Sequence, residues 1–249
     1  IYFLVQQTML FSIPLLLVAL GGMFSERSGV VNIALEGIMI IGAFTGIFFI
    51  SRFGNLFSPT ITLFIAIIIS ALSGLIFSLL HAYASINMSA DQVISGTALN
   101  IFAPAFAIYV TRAIQVVQQI SFVNNFRIES VPFLGNIPII GNLLFKNAYI
   151  TTYLGFIILA LSWFALYKTR FGLRLRSCGE HPQAADSVGI NVYKMRYFGV
   201  AISGALAGIG GLVFVIPTST NFNATVAGYG FLALAVLIFG QWKPIRILY

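Results

Sequence analysis

Charge is scarce in this chain. Only 13 of its 249 residues are Lys or Arg and 6 are Asp or Glu, 8% in all, where a soluble domain carries about 25%. So few charges cannot clothe a water-exposed surface, which excludes a soluble enzyme and a disordered regulator. One cysteine, Cys178, excludes an internal disulfide and with it a disulfide-stapled secreted domain. His81, His181 and Cys178 do not make a metal-site spacing. No glycine-rich loop ends in Gly-Lys-Ser/Thr, so ATP is not held by a Walker pattern. Nothing pairs a nucleophile with a base. No catalytic residue, cofactor or metal is therefore expected, and ATP hydrolysis is not expected on this chain. A basic leading region and a small-residue cleavage pattern are also missing, so no removable signal peptide is expected.

What is present is hydrocarbon. Hydrophobic residues make up 59% of the chain and its mean hydropathy is +0.99. A helix crosses a bilayer with about 20 apolar residues. Six stretches qualify: Ile1 to Phe24, Val30 to Ile50, Thr60 to Ala82, Val93 to Val110, Tyr149 to Tyr167 and Tyr197 to Ile216. Gly230 to Gly240 is apolar but short, and reads as a re-entrant segment or a truncated span. The expected fold is an all-α membrane protein, a polytopic transmembrane helical bundle with residues 1–249 as one domain.

The net charge of +7 reads as loop charge, and no nucleic-acid partner is expected. Lys168, Arg170, Arg174, Arg176, Lys194 and Arg196 face only Glu180 and Asp186 between 168 and 196. The excess of Lys and Arg marks this loop as cytoplasmic. Counting back places 112–147 outside as an extracytoplasmic loop. There, Val131 to Gly141 holds two prolines and two glycines, which suits an interfacial loop or cap over a plain span.

Polar residues inside apolar runs are the candidate pathway. Glu36 lies in the second run, and an ionised carboxylate at depth persists only when paired or facing water. Asn32 stands four residues before it, on the same face if both are helical. The pair reads as a polar lining, as a latch between helices, or as a carboxylate snorkelling to the interface. Ser95, Thr97 and Asn100 recur in the fourth run, where Gly96 and Pro104 weaken the helix. They read as a substrate-facing strip or as interhelical hydrogen bonds. Gly42 with Gly46, and Gly204 with Gly208, have the spacing of close helix packing. In the basic loop, Pro182 suits a first helical turn, Gln183 to Val188 about two turns, and Gly189 a helix end. Small Ala184 and Ala185 would let another protein approach that short helix.

Three stretches resemble one family. Ser25-Glu26-Arg27-Ser28-Gly29-Val30-Val31-Asn32-Ile33-Ala34-Leu35-Glu36-Gly37 is similar to the amino-terminal signature of ABC importer permeases of the branched-chain amino acid and simple-sugar superfamily. Arg170 to Arg176, with Gly189 to Tyr193, resembles their cytoplasmic loop. Gly228 to Ala235 and Phe239-Gly240-Gln241-Trp242-Lys243-Pro244 resemble their late G-x-W-x-P region. The likeness runs from about Gln7 to Pro244 and is nearest the nucleoside branch, whose relatives include riboflavin and simple-sugar permeases. It implies a type II-like importer permease in the bacterial cytoplasmic membrane, carrying nucleosides. It also implies three partners: a cytoplasmic ABC ATPase, a second homologous permease and an extracytoplasmic substrate-binding lipoprotein. Its coupling helix would fall on Gly179 to Gly189, with Glu180, Pro182, Ala184 and Ala185 at matching positions. Asn32, Glu36, Ser95 and Asn100 are the residues placed on the substrate pathway. The family continues past the tryptophan with P-x-G and further helices. Here Arg246 stands where that glycine is expected and the sequence stops at Tyr249, so a C-terminally shortened bundle is expected. Within the same class the alternative is a simple-sugar or riboflavin ABC permease, and two readings compete from other classes: a stand-alone secondary transporter using Glu36 as its ion site, and an inactive scaffold subunit.

Overall fold

The structure is a computed structural model that describes residues 2–115, 117–123, 126–130 and 146–248. Its long helices are α1 (Tyr2–Arg27), α2 (Leu35–Phe53), α3 (Pro59–Ala82), α4 (Gln92–Gln115), α5 (Ile150–Lys168) and α8 (Val192–Thr218). All six are long and apolar enough to cross a membrane, and they match the six runs read from the sequence. A π-helical turn, Tyr83–Asn87, prolongs α3. Between α5 and α8 lie α6 (Arg170–Glu180) and α7 (Pro182–Ser187). Short α9 (Tyr229–Phe239) and α10 (Pro244–Leu248) follow α8.

Small residues decide how the bundle packs. The central helix α8 lies against α1, α2 and α3. Gly42 of α2 meets Gly208 of α8 so closely that a side chain on Gly42 would overlap the Gly208 backbone, and a side chain on Gly208 would overlap the Ser70 carbonyl of α3. The Ser70 hydroxyl donates to the Gly42 carbonyl at 2.7 Å. Lipid tails are as apolar as leucine, so helices in a bilayer gain little from burying apolar surface and much from this backbone approach. The opposite design covers the outside: Ile61, Phe64, Ile68, Leu72 and Ile76 form an exposed stripe along α3. In water such a stripe would be an adhesive patch; in a membrane it is the solvated face.

The ends of the bundle are tied separately. At one end β1 (Ile120–Ser121) pairs antiparallel with β4 (Asn221–Phe222), and β2 (Arg127–Ser130) with β3 (Lys146–Tyr149). The expected interfacial stretch Val131 to Gly141 lies outside the described residues. At the other end α6 and α7 fold under the bundle against the close of α1 and the start of α8.

Four expectations need correction. The second span does not begin at Val30: the chain is irregular from Val30 to Ala34 and becomes helical at Leu35, so Asn32 and Glu36 do not share a helix face. Helix α4 is continuous through Gly96 and Pro104, as membrane helices tolerate an internal proline. Helix also extends into both expected loops: α4 runs to Gln115, past the expected loop start at Arg112, and α8 already begins at Val192.

Candidate functional site: a polar seam joined to a short amphipathic loop

Helix α1 ends at Arg27 in a tight turn. The Ser28 hydroxyl donates to the Ser25 carbonyl at 2.6 Å, the Ser25 hydroxyl to the Val30 carbonyl at 2.7 Å, and Gly29 takes a left-handed φ of +91°. The chain then runs non-helically back into the bundle. Backbone polar groups without a helical ladder must find other partners at membrane depth. Here side chains from other helices provide them.

From α4, Gln92 accepts from the Val31 N–H at 2.8 Å. Asn100 donates to the Ile33 carbonyl at 2.9 Å and accepts from the Gly37 N–H at 2.8 Å. From α3, the His81 ring lies 3.0 Å from the Val31 carbonyl through Nε2 and 3.1 Å from the Ser95 hydroxyl through Nδ1. A carbonyl only accepts, so Nε2 carries the proton, and in the neutral ring Nδ1 accepts from Ser95. From α8, the Ser203 hydroxyl accepts from Asn32 Nδ2 at 2.9 Å, while Asn32 Oδ1 takes the Ala34 N–H at 3.2 Å.

Glu36 closes the seam. Its carboxylate oxygens accept from the Gly228 N–H at 2.9 Å and the Gly230 N–H at 2.7 Å. These are free amides at the start of α9, so the negative charge sits at the positive end of a helix dipole. Gly228 adopts φ +81°, and a side chain on Gly230 would strike the Glu36 backbone. Eleven residues make α9 about 16 Å long, near half the hydrocarbon thickness. Of the readings open for Glu36, the geometry is that of a latch between α2 and a half-length helix.

The structure thus brings Asn32, Glu36, Ser95 and Asn100 into one seam around residues 30–37. Their polar atoms contact the protein itself. His81 is fully buried at the centre of the seam, although its position at the end of an apolar run reads from sequence as interfacial. Its i, i+14 pairing with Ser95 leaves no periodic signal, so only the fold exposes the role.

The basic loop meets the same turn from below. Gly179 touches the Arg27 carbonyl so closely that any side chain would overlap it, and Arg27 lies 3.9 Å from the exposed Glu180 carboxylate. Helix α7 starts at Pro182 and ends as the sequence expects. Ile190 N–H bonds to the Ala185 carbonyl at 3.1 Å and Gly189 N–H to Asp186 at 2.9 Å, with Gly189 at φ +81°. This is a Schellman closure, which needs the left-handed residue. The loop's two alanines differ: Ala184 is exposed, but Ala185 is buried with Cys178 and Val192. Ala185 therefore cannot present a contact surface, which corrects the expectation for that residue. Burial pushes the Cys178 thiol up from its ordinary range, and the nearby Arg196 charge opposes this.

The G-x-W-x-P stretch completes the lower cluster. Trp242 Nε1 donates to the Glu26 carboxylate, and Arg27 donates to the Trp242 carbonyl at 3.2 Å. The end of α9 is thus fastened to the same turn that Gly179 supports.

A permease family, described as "Branched-chain amino acid transport system / permease component", matches residues 4–249. The chain belongs to this family. The permease is 44% identical to the nucleoside ABC transporter permease protein NupC of Lactococcus lactis, over 97% of this chain and 76% of that one. It is 46% identical to the guanosine ABC transporter permease protein NupQ of Bacillus subtilis, over 98% and 77%. Identity to a putative glucose ABC transporter permease protein of Haloferax volcanii, TsgC13, is 31% over 94% and 69%. No solved structure matches the permease. It is a multi-pass membrane protein and a transport subunit.

Proposed function

We propose that this permease is the membrane subunit of an ATP-driven importer of nucleosides. The observation that carries the reading is its 44–46% identity, over nearly the whole chain, to two permeases named for nucleosides and guanosine, against 31% to one named for glucose. A cytoplasmic ATPase, a second homologous permease and an extracytoplasmic binding lipoprotein would complete the assembly.

Coupling runs through 179–189. The exposed contact face is Glu180, Ala184 and the surface of α7, while Gly179, Pro182, Ala185 and Gly189 set its shape. Movement of α7 reaches the Arg27–Gly29 turn through Gly179, and from there the seam. In this reading Asn32, Glu36, Ser95 and Asn100 act on the substrate pathway by setting the position of α2, α4 and α9 around it. A contact can bias the transport cycle only if its energy differs between the two states.

The test is uptake of labelled guanosine by the assembled complex, with excess unlabelled nucleosides, simple sugars or riboflavin as competitors. Competition by nucleosides alone is expected, together with complete dependence on the ATPase. Competition by sugars or riboflavin reassigns the substrate. Uptake without the ATPase makes the protein a stand-alone transporter.

A further inference from the structure

We infer that the permease holds an anionic phospholipid in a groove between α3 and α8, at the end of the bundle that carries α6 and α7. The groove has a volume of about 710 Å³, and its wall includes Leu79, Tyr193, Lys194, Phe198 and Ala201.

Its chemistry changes with depth as a phospholipid's does. Helix α8 begins at Val192, directly after the polar loop, so Tyr193 and Lys194 stand at the mouth. Ala201 lies eight residues further along α8, about 12 Å deeper into the bundle. The mouth offers a cation, amides and phenol rings; the deep part offers Leu79, Phe198 and Ala201. A headgroup with the upper part of an acyl chain matches that gradient in both length and polarity. A soluble phosphate would leave the apolar part bare.

The charge at the mouth is uncompensated. Among the described residues Lys194 makes no ion pair, and no acid lines the groove. Its backbone N–H is capped by Asn191 Oδ1 at 2.9 Å, which holds the first turn of α8 in place. Tyr197 is engaged differently, donating to Asn87 at the end of the π-helical turn, and so ties the two walls together. Tyr193 at the mouth remains 63% exposed, as a tyrosine at a membrane boundary is, and Phe198 deeper in the groove remains 57% exposed. A single interfacial Lys favours an anionic lipid over a zwitterionic one about five-fold.

The test places a reporter in the groove. A Leu79→Trp variant of the full chain, with Trp163→Phe to remove the other lipid-facing indole, is reconstituted in phosphatidylcholine nanodiscs. Quenching of the introduced indole is then titrated with brominated phosphatidylglycerol or brominated phosphatidylcholine. Half-quenching is expected at about five-fold lower content of the anionic lipid. Lys194→Gln should abolish that preference and Lys194→Arg should keep it, both read on samples that elute as the parent protein does. Lys194→Met serves if the Gln variant fails to elute so. Equal quenching by the two lipids overturns the inference, as does a preference that survives loss of the Lys194 charge. Absence of quenching by either lipid overturns it too, because a second copy or another protein then covers the groove.

Discussion

Glu36 is the residue on which most of the seam's geometry converges. Its two oxygens serve two amides that have no helical partner, and it is 8% exposed. Glu36→Ala would leave both amides bare, at about 1–3 kcal/mol for each unsatisfied buried group. Glu36→Gln keeps one accepting oxygen but turns an NH2 toward the other amide. Thermal unfolding in detergent should therefore rank wild type above Glu36→Gln, and Glu36→Gln above Glu36→Ala. A Gln variant less stable than the Ala variant would contradict the cap. Asn100 bridges in the same way to Ile33 and Gly37, so Asn100→Ala should lower stability by a similar amount in the same assay. Cys178 gives a separate residue-level readout. Burial pushes its thiol up from the ordinary range, and the thiolate is the form that reacts. Maleimide labelling of folded permease should be slow at pH 7 and accelerate as pH rises; fast labelling at pH 7 would contradict the burial.

Helix α7 has two sides, and the two alanines report on them separately. Ala184→Glu changes the exposed side, so it should leave expression and melting unchanged while reducing uptake by the assembled complex. Ala185→Glu inserts a carboxylate beside Cys178 and Val192 and should lower the melting temperature as well. Equal effects of the two variants on stability would show that the helix does not sit as described. Helix α8 is a second case. Gly208→Leu must push α8 away from α3, and strain of that kind typically costs about 1–3 kcal/mol or more. It should produce protein that inserts in the membrane but is lost on detergent extraction.

Across the whole molecule, the parts legible in the sequence are those governed by local rules. Six spans follow from bilayer thickness, and α7 follows from Pro182 and Gly189, whose backbone preferences act within a few residues. The close contacts of Gly42 and Gly208 follow from residue size. The break at residues 30–34 is hidden in a run that hydropathy alone extends to Val30. What decides it is a set of partners, His81, Asn100 and Ser203, that lie about 50 to 170 residues away in the chain. The cap of Glu36 on α9 is hidden for the same reason, and the inward turn of Ala185 because two adjacent alanines look alike in sequence. At this scale the function is also tested. Deleting the ATPase should stop guanosine uptake without changing how much permease reaches the membrane.

The Glu36 cap also has a consequence for how the protein is made. Synthesis delivers α2 to the membrane long before Gly228 and Gly230 exist. Until then Glu36, in the first turn of α2, is without those partners, and an unpaired acidic group within a membrane segment costs insertion energy. The apolar remainder of α2 must carry that burden through the growth of nearly two hundred residues. A chain stopped at Val226 should therefore insert α2 poorly, and Glu36→Gln should rescue it, although the same change weakens the finished protein. Glycosylation mapping of the α2 flanks would read both outcomes. The seam would then be a place where the needs of biogenesis and of the finished transporter oppose each other.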